Sequence, residues 1–325
     1  MEISLEKTTR KLVGVIDINF KLLNKTGLII RSPITRITIG GKDTETMMTR
    51  ITYKIKIEGS TEELELTVPF IPGSSLKGRM RSLLELYEGA ELYSDGKIYM
   101  HKRNPLVENA CHDPDHNLDN LFGSPSFQPQ KLEEIANKSK NQNEKDVIID
   151  EETAKEFIRK IAPTRLIVED VYPSREYVEK LAKTKKFVSK EDFLEEKPEN
   201  RIDRITSAAD PRFILRVKPG IEFEGSFHIL LFDIDEKNLS EYLDLLFRGM
   251  MLVEDTYLGG SGTRGYGKVL FKNIVILLKN KKYYEDGEGP AEIYSLDRPI
   301  DYFKHKDEIL GRIRDYIGWS SEGDK

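Results

Sequence analysis

Three clusters in this chain combine residue types and spacings that could do chemistry. The first is Phe70-Ile71-Pro72-Gly73-Ser74-Ser75-Leu76-Lys77-Gly78-Arg79-Met80-Arg81. Pro-Gly stops an extended segment, and Ser74 and Ser75 are good helix N-caps. A helix that starts there presents free N–H groups, two hydroxyls and three cations, Lys77, Arg79 and Arg81, with no acid expected nearby. That is an anion site suited to a phosphate backbone. Lys77 and Arg81 are four apart and share a helix face. A capped helix with a solvated basic face would use the same residues. The second cluster is Gly259-Gly260-Ser261-Gly262-Thr263-Arg264-Gly265-Tyr266-Gly267. Gly260, Gly262 and Gly265 match G-x-G-x-x-G, but the dinucleotide fingerprint lies between a strand and a following helix. Here a helix precedes the loop and a strand follows. Such a loop, with Arg264 and Tyr266, lets a polyanion approach the backbone, or is simply a turn. The third cluster is His101, Cys111, His112 and His116, in a chain with five His and one Cys. Asp113, Asp115 and Asp119 are interspersed, and a full ligand set would need His101, Cys111 and His116 with His112 or Asp119. A thiolate with imidazoles suits Zn²⁺ in a closed structural site. The alternative is a polar surface loop without metal.

The elements that must position these clusters are legible as periodicities. Residues 11–30 alternate with period two, as a strand does. Leu76, Met80, Leu83, Leu84 and Tyr87 make one apolar face of a helix over 74–88. A short strand is expected at 164–173. An alternating run covers 213–232, broken at Pro219-Gly220. A second helix is expected over 237–252, and a last strand runs from Lys268 to Leu277. The order β-α-β-β-α-β predicts an α+β fold with the ferredoxin-like, split βαβ arrangement that RNA-recognition sheets also use. Three segments fall outside this core: a hairpin at 44–70, an irregular stretch at 93–130, and a charged stretch at 131–212 with helices near 151–161 and 174–184. They are expected to be insertions in a single domain spanning 1–325.

Composition bounds the rest. Lys+Arg total 51 and Asp+Glu 56, a net charge of −5, with 33% charged and 38% apolar residues. A lone cysteine excludes an intrachain disulfide and suits a reducing compartment. No run approaches ~18 uncharged apolar residues, and the N-terminal residues do not form a signal peptide. A cytoplasmic protein with no membrane contact is therefore expected. The acid excess concentrates in 131–157, 191–199 and 283–288, so the net charge does not exclude a polyanionic partner.

IPGSSLKGRMRSLLE followed near the C-terminus by GGSGTRGYG resembles the RAMP superfamily of CRISPR–Cas proteins, and most of all the Csm-type backbone subunits of type III effector complexes. Lys25-Thr26-Gly27-Leu28, Ile39-Gly40-Gly41-Lys42-Asp43, Leu121-Phe122-Gly123 and Asn200-Arg201-Ile202-Asp203-Arg204 extend the resemblance in order along most of the chain. The resemblance implies a ferredoxin-like palm with a thumb-like lobe, and a lid at 93–130 that can bear zinc. It implies stacking along CRISPR RNA beside other type III subunits, RAMP paralogues or copies of itself, with target RNA as the second nucleic acid. It also implies metal-dependent cutting of that target, with Mg²⁺ or Mn²⁺, and Asp43 as the catalytic position. A carboxylate in such a loop can hold a divalent cation or orient the attacking 2′-hydroxyl; as a turn residue it would only cap its own backbone. Expected RNA contacts are Ser74, Ser75, Lys77, Arg79, Arg81, Lys54, Arg201, Arg204, Gly260, Gly262, Arg264 and Tyr266. The family's Cys/His zinc site precedes LFG, which agrees with His101, Cys111, His112 and His116. The chain departs from the family in its fewer cysteines and its longer 44–70 hairpin. Two alternatives stay open: a structural RNA-binding subunit with an inactive Asp43 loop, and an endoribonuclease that processes precursor CRISPR RNA. The latter needs a base such as histidine, and only His228 and His305 lie outside the metal cluster.

Overall fold

A computed structural model describes residues 10–31, 44–57, 60–94, 96–124, 151–160 and 162–319. Asp43 and the loop that precedes it lie outside the described residues. The strands are β1 (Leu12–Asn24), β2 (Thr44–Glu45), β3 (Met48–Ile57), β4 (Ser60–Pro69), β5 (Tyr93–Ser94), β6 (Tyr99–Met100), β7 (Leu166–Val168), β8 (Tyr172–Pro173), β9 (Leu194–Ile202), β10 (Ala209–Val217), β11 (Glu222–Phe232), β12 (Val269–Asn280) and β13 (Ala291–Leu296). The α-helices are α1 (Gly73–Tyr87), α2 (Asn117–Phe122), α3 (Glu151–Lys160), α4 (Arg175–Thr184), α5 (Leu239–Asp255), α6 (Lys281–Glu285) and α7 (Asp301–Ile317).

The period of two in β1 separates two surfaces. Ile16, Ile18, Phe20 and Leu22 are buried in the main core together with the apolar faces of α1 and α5. Phe20 stacks on Phe227 of β11, with ring centroids 4.6 Å apart. The two helices meet closely at Gly249, where a Cβ would stand 3.0 Å from Met80 Cε and 3.2 Å from Leu84 Cδ1. The main sheet has the order β13-β12-β1-β11-β7, with β8 also on β11. All its pairings are antiparallel. The fold is therefore mixed α and β built on antiparallel sheet.

On the other face, Asp17 lies 2.5 Å from Lys279 Nζ and 2.6 Å from His228 Nδ1, and His228 Nε2 lies 3.1 Å from Glu169. Glu222 accepts from Lys272 at 2.6 Å and Lys21 at 3.1 Å. Burial alone would raise the Glu222 pKa, but these two ammonium groups more than offset it and hold the carboxyl below its ordinary range. This face is an ion-pair mesh. Its β1, β11 and β12 positions carry no exposed aromatic platform of the kind on which RNA-recognition sheets stack bases.

Three expectations need correction. The stretch 131–212 is not one continuous insertion, because β7 and β8 lie within it and pair with β11. The 44–70 hairpin is not peripheral: Tyr53, Ile55, Leu66 and Val68 join the main core, and Tyr53 Oη donates to Pro173 O at 2.9 Å. The C-terminal residues, given no element from periodicity, add β13 and α7. Tyr302 stacks on Phe247 at 4.3 Å and donates to Asp244 at 2.9 Å, fixing α7 to α5. Arg312 Nη1 donates to Ile293 O at 2.8 Å, on the outermost strand. Pro219-Gly220 does separate β10 from β11, with Gly220 at φ 85°. Among the described residues, no helix is long and apolar enough to cross a membrane.

One buried ion pair joins β7 to the start of α5. Arg165, 2% exposed, meets Asp235, 0% exposed, through Nη2 at 2.9 Å and Nε at 3.3 Å. Asp235 also accepts from Tyr242 Oη and the Phe232 amide. Removing one partner would leave the other charge buried. Asp235→Ala should therefore lower unfolding stability by about 3–5 kcal/mol, read from the denaturant midpoint.

Candidate RNA interface and metal centre

The start of α1 is docked, not open. Ile71 exchanges both backbone hydrogen bonds with Val171 at 2.9 Å. A Cβ on Gly73 would fall 2.1 Å from Val168 O, so only glycine fits this approach. The Gly73 amide donates to Asp170 Oδ1 at 2.7 Å. Neither serine caps the helix. The N-cap is Pro72, with no side-chain cap bond, Ser74 is exposed and Ser75 is half-buried. Asp170, distant in sequence, satisfies the first amide instead.

The three cations behind these serines have intrachain partners. Lys77 Nζ donates to Leu166 O at 2.7 Å, and burial pulls its pKa down. Arg79 donates to Tyr257 O at 3.0 Å and Thr256 Oγ1 at 3.2 Å, and its guanidinium lies 4.2 Å from the Tyr257 ring centroid. Arg81 meets Glu85 at 2.7 Å and Asp119 Oδ1 at 2.8 Å, and also donates to the carbonyls of Gly123 and His101. The expectation of a basic helix start without nearby acids is thus corrected.

The glycine loop owes its composition to close packing. A Cβ on Gly262 would fall 2.0 Å from the Tyr257 ring, one on Gly267 2.0 Å from Leu258 O, and one on Gly259 2.4 Å from Ile29 O. Gly259, Gly265 and Gly267 also have positive φ, which glycine adopts without strain. Gly260 donates its amide to Ile29 O at 2.8 Å. Arg264 is exposed and bonds Ser261 Oγ at 2.7 Å. Tyr266 is 0% exposed, so it is no free platform for a base. Its hydroxyl donates to Glu199 at 2.6 Å.

The β9–β10 hairpin carries Arg201, paired with Asp210 at 2.9 Å through Nε, and Arg204, exposed with no partner among the described residues. Its turn is held by Asp203, which accepts from the amides of Ile205 and Thr206. Ile205 is 94% exposed at the tip. On β3–β4, Lys54 pairs across the strands with Glu63 at 3.3 Å. Asp43 falls outside the described residues, but Thr44, next in sequence, begins β2. That strand pairs in parallel with Ile214–Leu215 of β10.

His101, His116 and Asp119 bring one ligand atom each within 4.8 Å of one another. The His101 and His116 rings stack at 4.3 Å. Asp119 Oδ2 lies 3.1 Å from His101 Nε2 and 2.8 Å from His116 Nδ1. Yet all three atoms are buried without a satisfied hydrogen bond. That is the arrangement expected of ligands that share an ion. Cys111, expected as a ligand, is half-buried and lies outside this group of three. Contact with Asp119, then with Cys111, pushes the His101 pKa up to about 10. Burial alone would raise the pKa of Asp119, but the two imidazoles and Arg81 hold it well below the carboxylate range. His112 is a correction: its Nε2 must donate to Val107 O at 2.8 Å, and it lies outside the group. Asp119, one of the acids interspersed in the cluster, is its centre. Of the two residues expected as the further ligand, His112 or Asp119, the group contains Asp119, which the spacing His116-x-x-Asp119 puts on one helical turn with His116. Arg81 holds Oδ1 of Asp119 and leaves Oδ2 free, as an outer partner of a metal ligand does. Arg81→Ala would strip Glu85 and Asp119, both buried, of their shared guanidinium. It should cost about 3 kcal/mol or more of stability, read by denaturant unfolding, whereas Ser74→Ala at the exposed neighbour should fall within ~0.5 kcal/mol.

The RAMP superfamily model matches residues 34–270. The chain is 34% identical over 281 residues to the "CRISPR system Cms endoribonuclease Csm3" of Methanothermobacter thermautotrophicus, covering 86% of this chain and 93% of that protein. The protein of the same name from Streptococcus thermophilus is 32% identical over 207 residues, covering 64% and 70%. The Methanopyrus kandleri Csm3 crystal structure aligns over 93% of this chain and 98% of that one, at 19% identity and a TM-score of 0.52, a likeness of fold. On the family match and an identity spread over most of both chains, the protein belongs to the RAMP superfamily, alongside the Csm3 endoribonucleases.

Proposed function

We propose that this chain is a CRISPR-RNA-binding backbone subunit of a type III interference complex, and that it cleaves complementary target RNA with a divalent cation. The observation that carries this reading is 34% identity over 86% of the chain to a protein named as a Csm3 endoribonuclease. Its partners would be guide and target RNA, other type III subunits, and paralogues or copies of itself. The main sheet supports a ferredoxin-like palm. Its β-α-β-β-α-β elements are β1, α1, β7, β11, α5 and β12, and the four strands stand in the order β12-β1-β11-β7, fourth-first-third-second. The β9–β10 hairpin, with its exposed tip, serves as the thumb.

In this reading Asp43 orients the 2′-hydroxyl that attacks the neighbouring phosphate. A bound Mg²⁺ or Mn²⁺ would supply charge neutralisation at that phosphate. Exposed cations that keep a face to solvent, such as Arg204 and Arg264, hold the RNA backbone and carry no sequence information. The processing alternative is less well supported. Both nitrogens of His228 face carboxylates, and His305, on α7, lies against Tyr294 of β13. A structural zinc ion would be held by His101, His116 and Asp119, whose buried, unsatisfied atoms it would satisfy, with the half-buried Cys111 as the further ligand of this reading. Its contribution there is to order the apolar-poor lid.

With guide-matched RNA and Mg²⁺ or Mn²⁺, Asp43→Ala should abolish cleavage and leave RNA affinity within about twofold. Equal cleavage by the variant and the wild type would leave the non-catalytic subunit as the reading. Metal analysis should find about one zinc per chain, lost in His116→Ala together with thermal stability. A zinc content near zero in the wild type would remove the metal centre.

A further inference from the structure

Tyr266 sits where three otherwise separate pieces of chain meet. Its ring forms a small buried cluster with Ile29 and Ile214, apart from the main core. Arg216 and Lys197 flank the ring at 4.7 Å and 4.4 Å from its centroid. Its hydroxyl donates to Glu199 Oε1 of β9, and Arg212 Nη2 of β10 reaches Glu199 Oε2 at 2.6 Å. The glycine loop is thereby tied to both strands of the hairpin.

Ile214, packed on this ring, is the residue that pairs with Thr44. The chain beyond Thr44 is held as well. Thr46 bridges Arg31, and the Met47 amide donates to Ile30 O at 2.8 Å. Simple packing would need only a phenylalanine at 266. The hydroxyl does something more specific, because it bonds one oxygen of a carboxylate whose other oxygen is held by Arg212. Burial, then the bond to Glu199, pushes the phenol up to about 12, so it remains a donor at neutral pH. The Tyr266 bond, together with Arg212, holds the Glu199 carboxyl below its ordinary range, so it remains an acceptor.

We infer that Tyr266 is a positioning residue for RNA cleavage: through Glu199 and Ile214 it fixes β10, and with β10 the backbone at Thr44, the residue that follows Asp43. This rests on the reading of Asp43 as catalytic. A misplacement on the order of 1 Å at such a residue costs up to ~100-fold in rate, so loss of one tether should be visible without loss of the fold.

The test uses the full chain assembled with guide RNA, and measures single-turnover cleavage, target-RNA affinity and amide exchange at Thr44–Thr46. Tyr266→Phe should slow cleavage roughly 10-fold, leave affinity within about twofold, and speed exchange at Thr44–Thr46. Glu199→Ala, which removes the acceptor, should do the same, and the double variant should be no worse than Glu199→Ala, because Tyr266 acts through that carboxylate. Asp43→Ala is run in parallel. If Asp43→Ala is inactive while Tyr266→Phe cleaves at the wild-type rate with unchanged exchange, the inference is overturned and the catalytic reading stands. If Asp43→Ala cleaves normally, the catalytic reading fails and the positioning role fails with it.

Discussion

Much of this molecule depends on the backbone of one loop being allowed to touch its neighbours. Around Tyr257, the absence of a side chain at Gly262 lets the ring lie flat against the loop, and Arg79 of α1 covers the ring from its other neighbour. At Gly259 and Gly267 the missing Cβ lets carbonyl oxygens of Ile29 and Leu258 come within reach. The end of β1, the end of α5, the middle of α1 and the base of the hairpin are thereby held in one place. A larger residue at Gly259 or Gly267 would have to push apart backbone, which is far stiffer than a side chain, and one at Gly262 would have to displace the Tyr257 ring.

This also explains why the two sequence motifs occur together. Read separately, the helix-start motif and the glycine loop are both generic anion binders. In the folded chain they share a contact, since Arg79 belongs to the first and Gly262 to the second, and both meet Tyr257. Their types follow from each other before any ligand is considered.

What was legible in the sequence was what local periodicity controls. The alternation of β1, the apolar stripes of α1 and α5, and the break at Pro219-Gly220 are properties of neighbouring residues, and the fold follows them. The partners of charged side chains are not local. Arg81 finds Asp119 thirty-eight positions away, and Gly73 finds Asp170 ninety-seven away. Spacing therefore marked these cations as available when the fold had already engaged them. Tyr266 was misplaced for the same reason, since its burial is created by Ile214 and Ile29. Asp119 stood in plain view among acids, but only the approach of two imidazoles singles it out. The C-terminal strand and helix offered short, mixed patterns, and their docking is decided by Tyr302 and Asp244, a tertiary contact. The net charge of −5 likewise says little, because so many of the cations are neutralised at contact distance within the chain.

The outermost strand of the main sheet lies beyond the stretch matched by the family model. An exposed sheet edge offers a ladder of unpaired N–H and C=O groups to any extended chain that passes. Here Arg312, reaching over from α7, already occupies the Ile293 carbonyl, and the charged Glu292 stands next to it. A stray strand finds an interrupted ladder and a charge. The C-terminal strand and helix thus blunt their own edge against pairing with another strand.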